Sequence, residues 1–452
     1  MESPARVVVA HPGNSPYIHN AVLALAERGE LEYFATTYLD HPDYSLSRFF
    51  KALAKALRPS YVRQLERRSF TGIPFTKIRT HPLSELIRTF SSKVLRAPLL
   101  TDVIWERQDH NFDRWVARGL TADVDAVYTF EHAALRTIQA AREKGVFSFY
   151  EQPSQHHAFF GKVLREQLSR YPELANAHTG ILLDSKTVRR NRRRDEELLL
   201  ADCVLCNSQF TRRTLTDAGV DGRKIEVTPI GFPRPLPSSR EATGGPVIFL
   251  NAGIQSLRKG VHLLYRAWRS LSFREDEAEL WLVGKMELPE SLRRDLPGRV
   301  RITESMPRKD LMQLYGHASV LVLPSLADGF GMVVTEAMSR GLPAIVTTDT
   351  GTSDVITHGN SGFVIPPGDE AALAAQMRWC VEHREELPAM GAAALATAEQ
   401  WQWADYRRAL ASLISRKLRE RSELVGGREA PGRGAANARP NHAAAGGSEI
   451  GH

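Results

Sequence analysis

Twice along this chain, short apolar runs that stop at Gly, Pro or a polar residue alternate with longer segments of helical periodicity. That repetition narrows the fold more than any other feature. The first round reads "RVVVAHPG", "YIHNAVLALAERG" and "LEYFATTY", then "VDAVYTFE", "LRTIQAAREKG", "VFSFYEQ" and "DCVLCNS". Strands buried on both faces are continuous apolar runs, and a helix between two of them brings the chain back for a parallel neighbour. The pattern fails at residues 231–246, "GFPRPLPSSREATGGP", where Pro, Ser and Gly cluster as in a linker. It restarts with "VIFLNAG", "GVHLLYRAWRSL", "AELWLVG", "RVRITESM", "RKDLMQLYGHA", "SVLVLPS", "AIVTT" and "GFVIPPG". The expectation is α/β: two doubly wound, Rossmann-like domains facing across a cleft, with ligands beyond the carboxyl ends of the strands.

Composition supports two cores in a chain of 452 residues, 42% hydrophobic and 25% charged. The formal charge of +7 implies a mild preference for anionic partners without choosing among them. Three cysteines argue against a disulfide framework and for a reducing compartment. Cys203 and Cys206 form a C-x-x-C, but the stretch reads as a buried strand rather than a redox or metal site. The apolar run "VVVA" is too short for a signal peptide, and no window approaches the ~20 apolar residues of a membrane span. A cytoplasmic location is expected, with peripheral attachment to the inner membrane face as an option.

Chemistry concentrates in "LADGFGMVVTEAMSRGLP", residues 326–343. The strand "SVLVLPS" ends at Pro324, so "LADGFG" is a turn in which Gly329 and Gly331 allow a ligand close to the backbone. "MVVTEAMSR" then reads as a short helix, with Asp328 in the loop and Glu336 on the helix. Helix amides attract phosphate, whereas carboxylates repel it and accept hydrogen bonds from hydroxyls. Phosphate and hydroxyls together describe a nucleotide sugar. The bland alternative is a helix cap at Asp328 and a solvated Glu336.

The stretch resembles the E-x7-E signature of retaining GT-B glycosyltransferases of family 4, the glycosyl transferases group 1. Asp328 stands in the first acidic position and Glu336 in the second. The likeness runs on through "GLPAIVTTDTGTSDVITHGNSGFVIPPGDEAALA", and "ADCVLCNSQFTRRTLTDAGV", "KIEVTPIGF" and "AGIQSLRKGVHLLYRAW" extend it upstream. It implies a transferase with the nucleoside diphosphate sugar in the second domain and the acceptor in the first. Glu336 would bind the ribose and Asp328 the transferred sugar, while the amides of Phe330, Gly331 and Met332 line phosphate and sugar. Gly253 and Lys259 match the family's phosphate-binding segment. Its usual arginine is replaced by Ile254, so Arg258 is the candidate for the missing charge; a solvated arginine at a helix start is the alternative. The implied divisions are 1–232, a linker at 233–245, 246–400, terminal helices returning to the first domain at 401–424, and a disordered tail from 425 to 452.

On the acceptor side, relatives of this kind place a catalytic histidine after the strand matching "VFSFYE", where this chain has Glu151. Glu151, His156 and His157 are the catalytic candidates, with His11, Gly13, His19, Glu131 and His132 around the acceptor. All sit at carboxyl ends of strands, where structural histidines also occur. No cofactor and no metal are expected: "DVD" at 123–125 precedes an apolar strand and reads as a turn into it.

Residues 46–101 carry twelve Lys or Arg against Glu66 and Glu85, and "LSRFFKALAKALRPSYVRQL" mixes cations with Phe, Leu and Tyr at helical spacing. One face could lie on an anionic membrane, or pack on its own domain. "RRNRRR" at 189–194 accompanies no nucleic-acid reader, so a solvated face or a contact to an anionic acceptor is expected, and no nucleic-acid partner. The predicted function is transfer of a sugar from a nucleoside diphosphate sugar to a hydroxyl of a glycan, lipid or metabolite. The rivals are a sugar-nucleotide epimerase and a non-catalytic nucleotide-sugar-binding or membrane-scaffold protein.

Overall fold

The computed structural model describes residues 4–44, 68–85, 98–236, 244–294 and 296–426, with Ser47, Lys51, Glu66 and Ile87. The tail beyond 426, and most of the basic segment at 46–67 and 86–97, lie outside the described residues.

The first sheet comprises β1 (Val7–Ala10), β2 (Leu31–Thr36), β3 (Ile78–Thr80), β4 (Ala126–Phe130), β5 (Phe147–Gln152), β6 (Cys203–Cys206) and β7 (Ile225–Val227). Its spatial order is β3-β2-β1-β4-β5-β6-β7, and every pair is parallel. The second comprises β8 (Val247–Ala252), β9 (Ala278–Val283), β10 (Arg299–Thr303), β11 (Val320–Leu323), β12 (Ala344–Thr347) and β13 (Gly362–Ile365). It runs β10-β9-β8-β11-β12-β13, again parallel throughout. These are the two Rossmann-like sheets expected from the alternation. Each reverses its strand order once, at β1/β4 and at β8/β11. Loops leave such a reversal in opposite directions and open a crevice at the carboxyl ends.

Around the first sheet lie α1 (Pro16–Ala26), α2 (Pro98–Gly119), α3 (Leu135–Glu143), α4 (His157–Arg170), α5 (Ala177–Ile181), α6 (Ser185–Leu200) and α7 (Gln209–Asp217). The rest of the chain supplies α8 (Val261–Leu271), α9 (Arg308–Tyr315), α10 (Met332–Met338), α11 (Glu370–Glu382), α12 (Leu387–Gln400) and α13 (Trp403–Gly426). Local chemistry starts several of them. Ser15 caps α1 with Pro16 at the first turn, Ser208 caps α7, and Asp369 accepts from the amide of Ala372 at 2.8 Å to open α11. No helix among the described residues is long and apolar enough to cross a membrane.

The two halves are joined by elements that leave their own sheet. From α4 and the turn after it, Leu164, Tyr171 and Leu174 are buried in the second domain's core with Val261, Leu264 and Trp268. Gln167 meets Nε2 of the buried His262 at 2.9 Å. In the other direction, α13 packs on α1 and buries Tyr406, Leu410 and Ile414 in the first domain's core. Elsewhere, Cys203 and Cys206 fill β6, where burial pushes both thiols up to about 12. The acids of "DVD" are held by Arg6 ahead of β4: Asp123 accepts from its guanidinium at 2.8 Å and Asp125 from its amide at 2.7 Å.

Because Leu164 is buried against the opposite domain, Leu164→Ala is expected to lose about 2–5 kcal/mol of stability. Urea unfolding followed by fluorescence measures this. A loss below about 0.5 kcal/mol would mean that α4 does not anchor the domains.

Candidate active site

The donor-side residues gather at the β8/β11 reversal. Gly253 follows β8 with φ of +124°, and a side chain there would meet open space. The turn after it carries Arg258 and Lys259 toward the loop that follows β11. Arg258 Nη1 donates to the Ala327 carbonyl at 2.8 Å and lies 3.7 Å from Asp328 Oδ1. Lys259 Nζ is ion-paired with Asp328 Oδ2. Asp328 is buried, which by itself would raise its carboxyl. The charges of Lys259 and Arg258 and the lysine's hydrogen bond outweigh that effect and hold the group below the usual aspartate range.

Glu336, on α10, is held by a second set of partners. Arg308, at the start of α9, donates from Nε to Oε1 at 2.9 Å, and Tyr315, at the end of the same helix, donates to Oε2 at 3.2 Å. Neither partner was foreseen; they lie 28 and 21 positions away, and no local motif marks them. The solvated Glu336 of the bland reading is not what folds, because this carboxylate is 8% exposed.

Between the two acids the backbone runs tight against the first domain. The Gly329 carbonyl accepts from Ser208 Oγ at 2.6 Å and from Thr211 Oγ1 at 3.3 Å. A Cβ on Gly329 would overlap the Pro153 carbonyl, so glycine is required by close approach. Phe330 sends its ring into the first domain's core, with Met332 packed against it, and Gly331 takes φ of +84° ahead of α10.

The first-domain candidates separate into four groups. His11 opens the loop after β1, whereas His19 lies within α1 rather than at the strand's end. Nδ1 of His11 accepts from the Gly13 amide at 2.7 Å, and its ring stands edge-on to Phe130. His19 stacks on Phe70, and burial lowers its pKa to about 4. After β4, Glu131 pairs with Arg194 and accepts from Ser154 Oγ at 2.8 Å. His132 adopts φ of +80°, uncommon for a residue with a side chain, with its amide on Glu197 Oε2 at 3.1 Å.

Glu151 is not brought together with the two histidines proposed beside it. On β5 its side chain shares a face with Phe147 and Phe149, toward α1 and α13, and it accepts from Tyr128 in the core. Burial pushes this carboxyl well above the usual range. His156 and His157 lie across the sheet and share Asp195 of α6, at 3.2 and 2.6 Å from their Nε2 atoms. Nδ1 of His156 accepts from the Ala158 amide at 3.2 Å, so its ring proton sits on Nε2 and points at Asp195. That bond opposes use of the cluster as a metal site, which would need Nε2 bare. With Nε2 of His157 also committed to Asp195, Nδ1 is the atom it has left to accept a proton.

The "RRNRRR" run departs from the solvated face expected of it. Arg190 pairs with Asp102 and Glu106 at 2.6 and 3.4 Å, Arg193 with Asp113 and Glu197, and Arg194 with Glu131. Helical spacing turns these three inward, leaving Arg189 and Arg192 exposed.

Residues 236–396 match the family model described as glycosyl transferases group 1. That stretch is similar to a glycosyl transferases group 1 domain. Among curated proteins it is 29% identical to sulfoquinovosyl transferase SQD2 of Arabidopsis thaliana over 160 residues, 34% of this chain and 31% of that one. It is 24% identical to a D-inositol 3-phosphate glycosyltransferase of Corynebacterium kroppenstedtii over 329 residues, 63% of this chain and 73% of the other. The chain thus spans about a third of the plant relative's length and nearly three quarters of the bacterial one's. Among solved structures, Anabaena HepE in complex with UDP-glucose superposes with a TM-score of 0.57 at 19% identity, covering 91% of this chain and 99% of that one. That likeness is one of fold. The family match and the relatives' names support the expected enzyme class, a transferase.

Glu151 gives a pH test of its buried, protonated state. Its folded pKa lies above the unfolded value, so its contribution to stability is complete below the ordinary carboxyl range and is lost as pH rises toward the folded value. Relative to Glu151→Gln, the wild type is expected to lose stability, by up to about 1.4 kcal/mol per pH unit, as pH rises above the ordinary carboxyl range. Parallel stability profiles from urea unfolding would show that Glu151 is already ionised.

Proposed function

We propose that the protein is a retaining glycosyltransferase that moves a sugar from a nucleoside diphosphate sugar to an acceptor hydroxyl. The observation that carries this reading is the pair of cations, Lys259 and Arg258, set against Asp328 at the β8/β11 reversal. As the sugar's anomeric C–O bond breaks, its electron pair goes to the departing diphosphate, and fixed positive charge there lowers the barrier. The acceptor oxygen forms the new bond on the same face of the ring, and its proton passes to the departing phosphate. In this scheme Lys259 turns from Asp328 to phosphate and frees that carboxylate for the sugar's hydroxyls, while Glu336 accepts from the ribose. With two side-chain cations at the leaving group, the proposal needs no bound metal.

Several neighbours fit the same reading. Side-chain atoms of Gln152, Gln155, Asn207 and Thr352 are buried without a protein hydrogen-bond partner at the carboxyl ends of β5, β6 and β12. Buried polar groups of this kind suit a ligand rich in hydroxyls. The acceptor would approach from the first domain, past His11, His132 and His157. The relatives named for sugar transfer, and the HepE complex with UDP-glucose, agree with a nucleotide-sugar donor. Peripheral attachment to an anionic membrane through residues 46–101 belongs to the proposal on the charge of that segment alone.

The test is titration calorimetry with a panel of nucleoside diphosphates and their sugars, without added metal. One diphosphate is expected to bind in the micromolar range, about tenfold or more weaker in Glu336→Ala, since a lost charged hydrogen bond is worth about 1.5–3 kcal/mol. No binding by any member of the panel would sink the donor site.

A further inference from the structure

Arg193, one of the arginines that turn inward from α6, lies in the wall of a cavity that the transfer scheme does not use. It has a volume of about 430 Å³ and lies between α2, the start of α3 and α6. Arg107, Arg114, Arg136, Arg193 and His110 line it, against a single acid, Glu106. Glu106 is itself engaged by Arg190. Asp113 and Glu197, the carboxylates behind the wall, are taken up by Arg193 and by the amides that open α3. Among the described residues, Arg107, Arg114 and Arg136 pair with no carboxylate; Arg114 and Arg136 donate to the neutral Asn111 and Gln139.

We infer that this cavity is an anion subsite that takes a phosphate or diphosphate ester. Three guanidiniums without acidic partners converge on one concave space, and their planar forks suit phosphate oxygens better than single point charges would. The volume exceeds that of inorganic phosphate, so the bound group has room for the residue that carries it. A smaller cavity adjoins this one, sharing Glu106, His110 and Arg193, and His132 lines it with Arg194. Arg194 leads to Glu131, Glu131 to Ser154, and Ser154 lies against Gly329 in the donor loop. A molecule held by its phosphate in the arginine cavity would therefore reach His132 through the adjoining cavity, whose wall is tied by these contacts to the donor loop. In the transferase reading, on which this role rests, it is the acceptor, held by its anionic end.

The test titrates inorganic pyrophosphate into the full chain, into Lys259→Ala to remove the donor phosphate site, and into the double variant Arg107→Ala with Arg136→Ala. Both arginines are exposed, so the double variant should keep its fold, and its circular dichroism melting curve checks that. Pyrophosphate is expected to bind Lys259→Ala and to bind the double variant about tenfold or more weakly. Binding that vanishes in Lys259→Ala and is unchanged in the double variant overturns the inference, as does no binding tighter than about 1 mM to the wild type. Two further arms separate the sources of the phosphate. Competition by soluble glycerol phosphate, without sedimentation on vesicles, supports a soluble ester. Sedimentation on phosphatidylcholine vesicles containing phosphatidic acid, lost in the double variant, supports a lipid headgroup. Nucleoside diphosphate binding is measured separately, so failure of the donor reading leaves the pyrophosphate comparison standing.

Discussion

The carbonyl oxygen of Gly329 is the point on which the cleft depends. It belongs to the second domain's loop, yet two hydroxyls of the first domain, from Ser208 and Thr211, donate to it. Ser208 is also the residue that caps α7, so one side chain fixes both the start of a helix and the position of the loop across the cleft. On the other side Gly351 approaches so closely that a Cβ there would overlap the same carbonyl, and its amide bonds the carbonyl of Asp328. A loop held from both sides cannot shift its neighbouring carboxylate freely. The placement of Asp328 is thus set by backbone contacts, and its charge state by Lys259 and Arg258.

Three buried carboxylates of this molecule are each held by one or two cations. Asp328 with Lys259 and Arg258, Glu336 with Arg308, and Glu131 with Arg194 all follow this form. Taking one partner from such a pair leaves a buried charge that is costly until something else compensates it. In the proposed transfer, a diphosphate would compensate Lys259, and ribose hydroxyls would donate to Glu336. The arginine cavity differs, because among the described residues three of its cations have no carboxylate to leave.

Much of the fold was legible in the sequence because most strands are runs of buried apolar residues, and such runs declare themselves locally. The short edge strand β3 (Ile78–Thr80) carried no such run and was not foreseen. At the site, Asp328 and Glu336 could be read because turn and helix chemistry surround them within one stretch. Their partners Arg308 and Tyr315 could not, since nothing in α9 distinguishes a residue that reaches a carboxylate on α10. Glu151 shows the opposite failure. Its position at the end of a strand suggested chemistry, but strand alternation turned it to the core face with Tyr128.

By itself the sequence determined the alternation of strands and helices, the break between its two rounds and the acidic loop with its glycines. These are consequences of local periodicity and backbone freedom, and neighbours in the chain decide them. Only the tertiary structure decided which charges meet: Lys259 with Asp328, Arg308 with Glu336, both histidines with Asp195, and four arginines around one cavity. Such contacts join residues tens of positions apart, and their geometry exists only once the sheets and the helices between them have packed.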